Sequence, residues 1–403
     1  MKNKILITEL SSVLAGSQKV TLNVIRNLKK MGFDIEVLLK EDDSLFDGFY
    51  SEFSCSTYRL KNELSEFFGT GNFSFRNMSF FTRVRFFFTV LFSNIQSIYI
   101  AKKKKCKTIY CYDPKGIFVS GLLAKFFNIK VIWHLHGRLN YPSLISKFMI
   151  NAAHTIIVPS FAIRDQVLSL SGDRKQPKID VIYNGFDFEI NSDNSNENHK
   201  HSLPNIDKKS YINAIFVGTI VPNKGLHLIL EKLIESKLTE SVNFKVLGKT
   251  LGKFGDSYMR HLEGLVMQLP RNINVEFEGW VDNASEYIEN SDVLIFASTD
   301  YCELNFNGQI YQFKASEALP TVLIESLSLN TPVIANNTSG VEEIVSCEFY
   351  GDVVYDWNRF DIDQSLQKLS HRKFIVDRDF INKFSKEEMD AKICELFKKV
   401  QAL

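Results

Sequence analysis

Apolar positions along this chain cluster in two alternating ways. The runs KILIT, DIEVLL, TIYCY, KVIWHLHG and TIIVPS are short and almost continuously apolar, as strands buried on both faces are. Between them lie SQKVTLNVIRNLKKMG, GIFVSGLLAKFF and SLISKFMINAA, whose apolar residues recur at helical spacing. Strand and helix in turn predict a parallel sheet covered on both faces, because a parallel connection needs a crossover. Residues 189–210 break the rhythm: they are polar, rich in Asn and Ser, and aperiodic, which predicts a linker. The rhythm restarts with NAIFVG, HLILEKLIE, NFKVLG, NVEFEG, DVLIFAS and PVIA. The expected fold class is therefore α/β, with one sheet-forming domain in 1–188 and a second in 211–375. Residues 376–403, containing FSKEEMDAKICELFKKV, predict a closing amphipathic helix.

At 403 residues the chain exceeds one ordinary core, in keeping with two domains. Its 45% hydrophobic and 24% charged residues are those of a globular protein, and a net charge of +1 argues against a nucleic-acid binder. The six cysteines form no C-x-x-C pair and show no zinc spacing, so free thiols in a reducing cytoplasm are expected. No constellation of metal ligands appears. The segment MKNKILITELSS has too short an apolar run for a secretory signal and reads as a first strand. Without an uninterrupted run of roughly 18 apolar residues, no segment is expected to span a bilayer.

Chemistry concentrates in SEALPTVLIESL, which places Glu317 and Glu325 on either side of an apolar run. Pro320 suits the first turn of a helix, so the amides of Thr321, Val322 and Leu323 would point out of its N-terminus and attract an anion. The plainer alternative makes Glu317 a capping residue and Glu325 a solvated one. Two Rossmann-like domains facing each other across a cleft would bind ligand at the carboxyl ends of their strands. Neither half carries G-x-G-x-x-G, but Gly16 stands in the first strand–helix turn, Gly218 ends a strand, and Lys224-Gly225 precedes a helix. Glycine lets a ligand approach the backbone closely, and lysine supplies a point charge for phosphate.

In this order the motifs resemble glycosyltransferase family 4, retaining enzymes of the GT-B fold that move a sugar from a nucleotide-sugar donor. The likeness runs almost end to end. AGSQKVTLNVIRNLKKMGFDIEVL looks like the opening glycine loop and first helix, WHLHG like the strand ending in His-Gly, and VIYNGFD like the Asn-Gly-x-Asp turn. FVGTIVPNKG resembles the phosphate-binding loop. EALPTVLIESLSLNTPVIA resembles the Glu-x7-Glu segment, and GVEEIV the stretch just after it. The resemblance implies that Glu317 lies against the donor sugar and that Glu325 accepts hydrogen bonds from the ribose. Amides near Thr321 and Val322 would hold the diphosphate, and Lys224 would stabilise it as it leaves. Gly16, Gly218 and Thr219 would belong to the donor site, and His136 would line the acceptor side. A retaining mechanism can use the leaving phosphate oxygen as proton acceptor, so neither a protein base, a metal nor another cofactor is implied. The closing helix is expected to pack on the N-terminal domain.

Three departures stand out. Thr219 occupies the position where the family usually has arginine, Ala15 replaces a common glycine, and about 15 extra residues at 299–315 precede Glu317. That insertion is read as a lid or acceptor loop, or as a surface excursion. His134, two residues before His136, is expected to be a packed core residue. NMSFFTRVRFFFTVLF followed by AKKKKCK, within residues 77–105, predicts either a helix on an anionic membrane surface or one packed on the first sheet. The expected partners are a nucleotide-sugar donor (UDP-sugar first, GDP-mannose next) and a glycan or lipid-linked glycan, as in capsule or O-antigen synthesis. The expected location is cytoplasmic, at the inner face of the plasma membrane if the helix binds lipid. A catalytically silent nucleotide or glycan binder, and a nucleotide-sugar epimerase, are the competing classes.

Overall fold

A computed structural model describes residues 3–10, 16–40, 50–60, 79–172, 177–187, 211–252, 254–306, 308–314, 317–371 and 375–402. In it the apolar runs become the strands of two parallel sheets. The chain divides into one compact unit of Met1–Phe186 with Ser385–Leu403, and a second of Asp187–Phe384.

The first unit holds β1 (Lys4–Glu9), β2 (Asp34–Leu39), β3 (Ser56–Arg59), β4 (Thr108–Tyr112), β5 (Lys130–His134), β6 (Thr155–Val158) and β7 (Lys178–Val181). Their order is β3-β2-β1-β4-β5-β6-β7, with Ile7 of β1 beside Val37 on one flank and Tyr110 on the other. The order reverses between β1 and β4, so the carboxyl ends of those strands open a crevice. Strands β3 and β7 are edge strands with little burial, which is why no apolar run announces them. GIFVSGLLAKFF is not one α-helix. A π-helical turn over Ile117–Gly121 is followed by a 3₁₀ turn over Ala124–Phe127. Ser120 there bonds the buried Thr8 hydroxyl at 2.6 Å, and a Cβ on Gly121 would lie 2.4 Å from Ile117 Cδ1, so the Ile117 side chain would have to shift.

The second unit contains β8 (Tyr211–Val217), β9 (Ser241–Leu247), β10 (Ile273–Gly279), β11 (Val293–Phe296), the hairpin strands β12 (Tyr301–Phe306) and β13 (Gln309–Lys314), then β14 (Val333–Asn336) and β15 (Gly351–Val354). Its sheet runs β10-β9-β8-β11-β14-β15, all parallel, and reverses between β8 and β11. The inserted segment is regular structure. It forms the antiparallel β12–β13 hairpin, whose Leu304 and Phe306 join the core beside Phe254 and Phe313.

The closing helix spans Lys386–Ala402 and belongs to the first unit. Met389, Ile393, Leu396 and Phe397 enter the core formed by Val20, Val24 and Phe33. The Asn-Gly turn explains itself here: a Cβ on Gly185 would lie 2.6 Å from Cα of Lys386, so only glycine lets the helix start there. The chain crosses later than residue 376. Residues up to Phe384 stay with the second unit, where the Phe380 ring packs tilted on Tyr350 with centroids 4.7 Å apart. The predicted linker 189–210, Ala15 and residues 77–78 lie outside the described residues.

Candidate functional site

In the second unit the crevice is built by backbones that approach too closely for any Cβ. Gly218 follows β8, and Gly248, at φ +147°, passes it so tightly that a Cβ would lie 1.9 Å from the Gly218 carbonyl oxygen. Pro222–Lys224 form a 3₁₀ turn that Gly225 ends at φ +72°, against the Ala297 carbonyl. The Thr299 amide donates to Asn223 O at 2.8 Å, which fastens this turn to the end of β11.

That turn aims Lys224 at Glu317: Nζ and Oε1 are 2.6 Å apart, each side chain about a quarter exposed. Glu317 precedes the helix Thr321–Ser328, which Pro320 opens and no side chain caps, leaving the Thr321 and Val322 amides as open donors. Leu323, Ile324 and Leu327 anchor the helix, with Ser326 rather than Val322 completing its buried face. Glu325 accepts a 3.1 Å hydrogen bond from Ser285, a partner that no motif in the sequence singles out. The loop before GVEEIV packs on the Glu317 segment, since a Cβ on Gly340 would lie 2.9 Å from Ala318 O. Ser298 Oγ, after β11, and Thr338 Oγ1, after β14, are buried without hydrogen-bond partners. Unmet polar atoms at strand ends suit a polar ligand. Thr219 is half-buried beside the Ile220–Thr250 bridge, which brings Lys249 alongside: its carbonyl accepts the Ile220 amide at 2.9 Å. Lys249 was not singled out either, although its VLGK repeats the strand-glycine pattern of FVGT.

In the first unit β5 ends at His134, and His136 lies two residues beyond. His134 is buried, bonded to Tyr110 OH at 2.5 Å, and packs tilted against His136 with ring centroids 4.0 Å apart. Neither ring nitrogen of His136 has a partner, and burial pushes its pKa down to about 3, so it is a neutral imidazole at physiological pH. Gly16 begins the helix Gly16–Lys30 after β1. Asp113, missed from the sequence, follows β4 at φ +57°, strained for a non-glycine residue. Its carbonyl accepts the Trp133 indole N–H at 3.0 Å, and the His136 backbone amide bonds its carboxylate. Desolvation nonetheless lifts its pKa from 3.8 to about 6. Asp-Pro at a strand end was the available signal.

A raised carboxyl pKa means the folded chain holds the proton more tightly than the unfolded one. Asp113 therefore subtracts stability as pH rises from 3.8 through 6. Asn tolerates positive φ, so Asp113→Asn should raise Tm more at pH 7 than at pH 4. Calorimetry at both pH values checks this, and an equal shift at the two would refute it.

Comparison with known proteins covers most of the chain. Residues 14–190 match the family model described as Glycosyltransferase Family 4, and residues 196–386 match that of Glycosyl transferases group 1. An uncharacterized glycosyltransferase of Methanocaldococcus jannaschii is 24% identical over 317 residues, 75% of this chain and 68% of that one. Among solved structures, Anabaena HepE in complex with UDP and glucose superposes with a TM-score of 0.62 at 16% identity, over 98% of this chain and 100% of that one. The lipopolysaccharide outer core galactosyltransferase WaaB superposes with a TM-score of 0.70 at 15% identity, over 98% and 99%.

Proposed function

We propose that this chain, a glycosyltransferase of the GT-B fold, moves a hexose or N-acetylhexosamine with retention from a nucleotide-diphosphate sugar to a glycan acceptor. A UDP-sugar is the favoured donor and GDP-mannose the next. The acceptor is a lipid-linked glycan in bacterial surface-polysaccharide synthesis. The observation that carries the reading is the Lys224–Glu317 pair, 2.6 Å apart, beside an uncapped helix that carries Glu325 in its second turn. One cation and open amides serve an anion, and a carboxylate on either side serves neutral diols. HepE, solved with UDP and glucose, and WaaB, a galactosyltransferase of lipopolysaccharide, support the donor class and the kind of acceptor.

On this reading the diphosphate rests on the Thr321 and Val322 amides and draws Lys224 toward itself, while Glu317 holds sugar hydroxyls. As the bond from the anomeric carbon to phosphate breaks, Lys224 and the helix end stabilise the charge on the leaving oxygen. The acceptor oxygen bonds that carbon on the same face, and its proton passes to the leaving phosphate. His136, in the first unit, is held neutral by burial and can donate or accept a hydrogen bond without carrying charge.

Glu325→Ala should weaken UDP binding by about 1.5–3 kcal/mol, the worth of hydrogen bonds to a charged acceptor, without unfolding the chain. Calorimetric titration with UDP tests it, and unchanged affinity would remove Glu325 from the site. Titration of GDP, ADP and CMP alongside UDP ranks the donor bases. Thr219 favours one second reading, a binder that does not catalyse, because a hydroxyl lacks arginine's fixed charge. Slow hydrolysis of the donor by the purified protein would exclude that reading.

A further inference from the structure

The helix Phe80–Lys104 partly inverts the usual polarity. Its buried face mixes Phe86, Ile98, Ile100 and Ala101 with the polar Thr89, Ser93, Asn94 and Ser97, and its outward face carries the other phenylalanines. The buried polar groups are spent inside the unit: Asn94 donates to Phe118 O at 2.6 Å and accepts from the Leu123 amide, while Ser97 donates to Ser93 O and Val119 O. Outside, Phe81 is 82% exposed, and Phe87, Phe88, Phe92, Ile95 and Tyr99 continue the face at helical spacing. A helix facing water would have the opposite arrangement.

Neighbouring elements extend the apolar area. The 3₁₀ turn Ala124–Phe127 packs on this helix and exposes Phe126. Lys125 of that turn donates to Asn151 O of the helix Ser143–Ala152, which exposes Leu144 and Phe148. Exposed hydrophobics in such number on one helix mark an interaction surface. Its charge selects the occupant. The helix has no acidic residue; Arg83 and Arg85 stand near one end and Lys102, Lys103 and Lys104 at the other, roughly 25 Å away at 1.5 Å per residue. Lys125 and Lys147 add to the same sign. Cations at both ends of an aromatic stripe fit a helix lying in the plane of an anionic lipid surface.

By length and composition alone this helix could cross a bilayer, since an 18-residue window of it reaches a mean hydropathy of 1.3. Its polar face is sealed against the first unit, however, and a crossing would strip that face of its partners. From the inverted polarity and the basic flanks together, we infer that this face binds anionic membrane peripherally, with the helix Phe80–Lys104 flat in the interface. The inference stands apart from the reading of the catalytic site.

Sedimentation with vesicles of phosphatidylcholine alone, or equimolar with phosphatidylglycerol, tests it without any sugar substrate. The full chain should bind the mixed vesicles, lose binding as salt rises, and bind the neutral ones at least about tenfold more weakly. Phe81→Glu/Phe88→Glu/Phe92→Glu should abolish binding. Replacing Arg83, Arg85 and Lys102 to Lys105 by Gln should lower affinity about tenfold or more. All three phenylalanines are exposed, so thermal melts and UDP binding should be unchanged in the Phe variant. Absence of vesicle binding, or binding that survives the Phe substitutions, would overturn the proposal. So would a dimer in solution that those substitutions dissociate, since a second copy would then own the face.

Discussion

Lys224→Met should lower kcat for glycosyl transfer by about 10²–10³, the usual cost of losing a preorganised charge at a developing anion. Stability should scarcely change. The pair with Glu317 is partly exposed, and such pairs contribute about 0–1 kcal/mol. UDP affinity should fall as well, because the variant loses a cation and leaves the Glu317 carboxylate unpaired beside the diphosphate. The companion Glu317→Gln gives the opposite sign on binding. It frees Lys224 from its 2.6 Å partner, so UDP should bind as well as before or better, while transfer still falls through lost contact with the sugar. Titration calorimetry and single-turnover transfer on the two variants separate these effects. If Lys224→Met binds UDP like the parent, the cation does not face the diphosphate, and the assignment of this turn fails.

The sheet-forming runs of both units were legible because strands buried on both faces leave unbroken apolar stretches. KILIT and NAIFVG are such stretches, and β1 and β8 occupy them. Edge strands β3 and β7 leave no such mark, and β15 reads only as GDVV. In the hairpin, β12 alternates exposed with more buried residues and β13 exposed with half-buried ones, but CELNFNGQIYQF mixes polar and aromatic residues too freely for period alone to settle it. Glu317 and Lys224 were legible as separate points, 93 positions apart; only the fold sets them against each other. Asp113 was hidden because its importance lies in a backbone angle and in burial, neither of which a single residue letter carries. The helix Phe80–Lys104 shows the limit most clearly. Its phenylalanine stripe suggested either a membrane surface or a helix packed on the first sheet, and no residue letter told that Asn94 and Ser97 would lie on the buried face.

Gly225→Ala should destabilise the second unit by about 3 kcal/mol or more, a size that needs a named mechanism. Two mechanisms add here. Gly225 sits at φ +72°, where any residue with a Cβ is strained by about 1 kcal/mol. The new methyl would also lie 2.0 Å from Ala297 O and 2.8 Å from Ala297 C, and backbone atoms at the end of a buried strand cannot rotate aside. The contrast is Gly264→Ala, inside the helix Gly255–Val266, where nothing lies within 4 Å of the added Cβ. There the same change should stabilise by about 0.5–1 kcal/mol, through lost freedom of the unfolded chain and better helix propensity. Urea melts of the two variants give the comparison directly. A Gly225→Ala protein as stable as its parent would mean that the turn can move away from β11. Such a turn could not hold Lys224 in one place, and the fraction of transfer lost in Gly225→Ala molecules that stay folded measures how much catalysis depends on its being held.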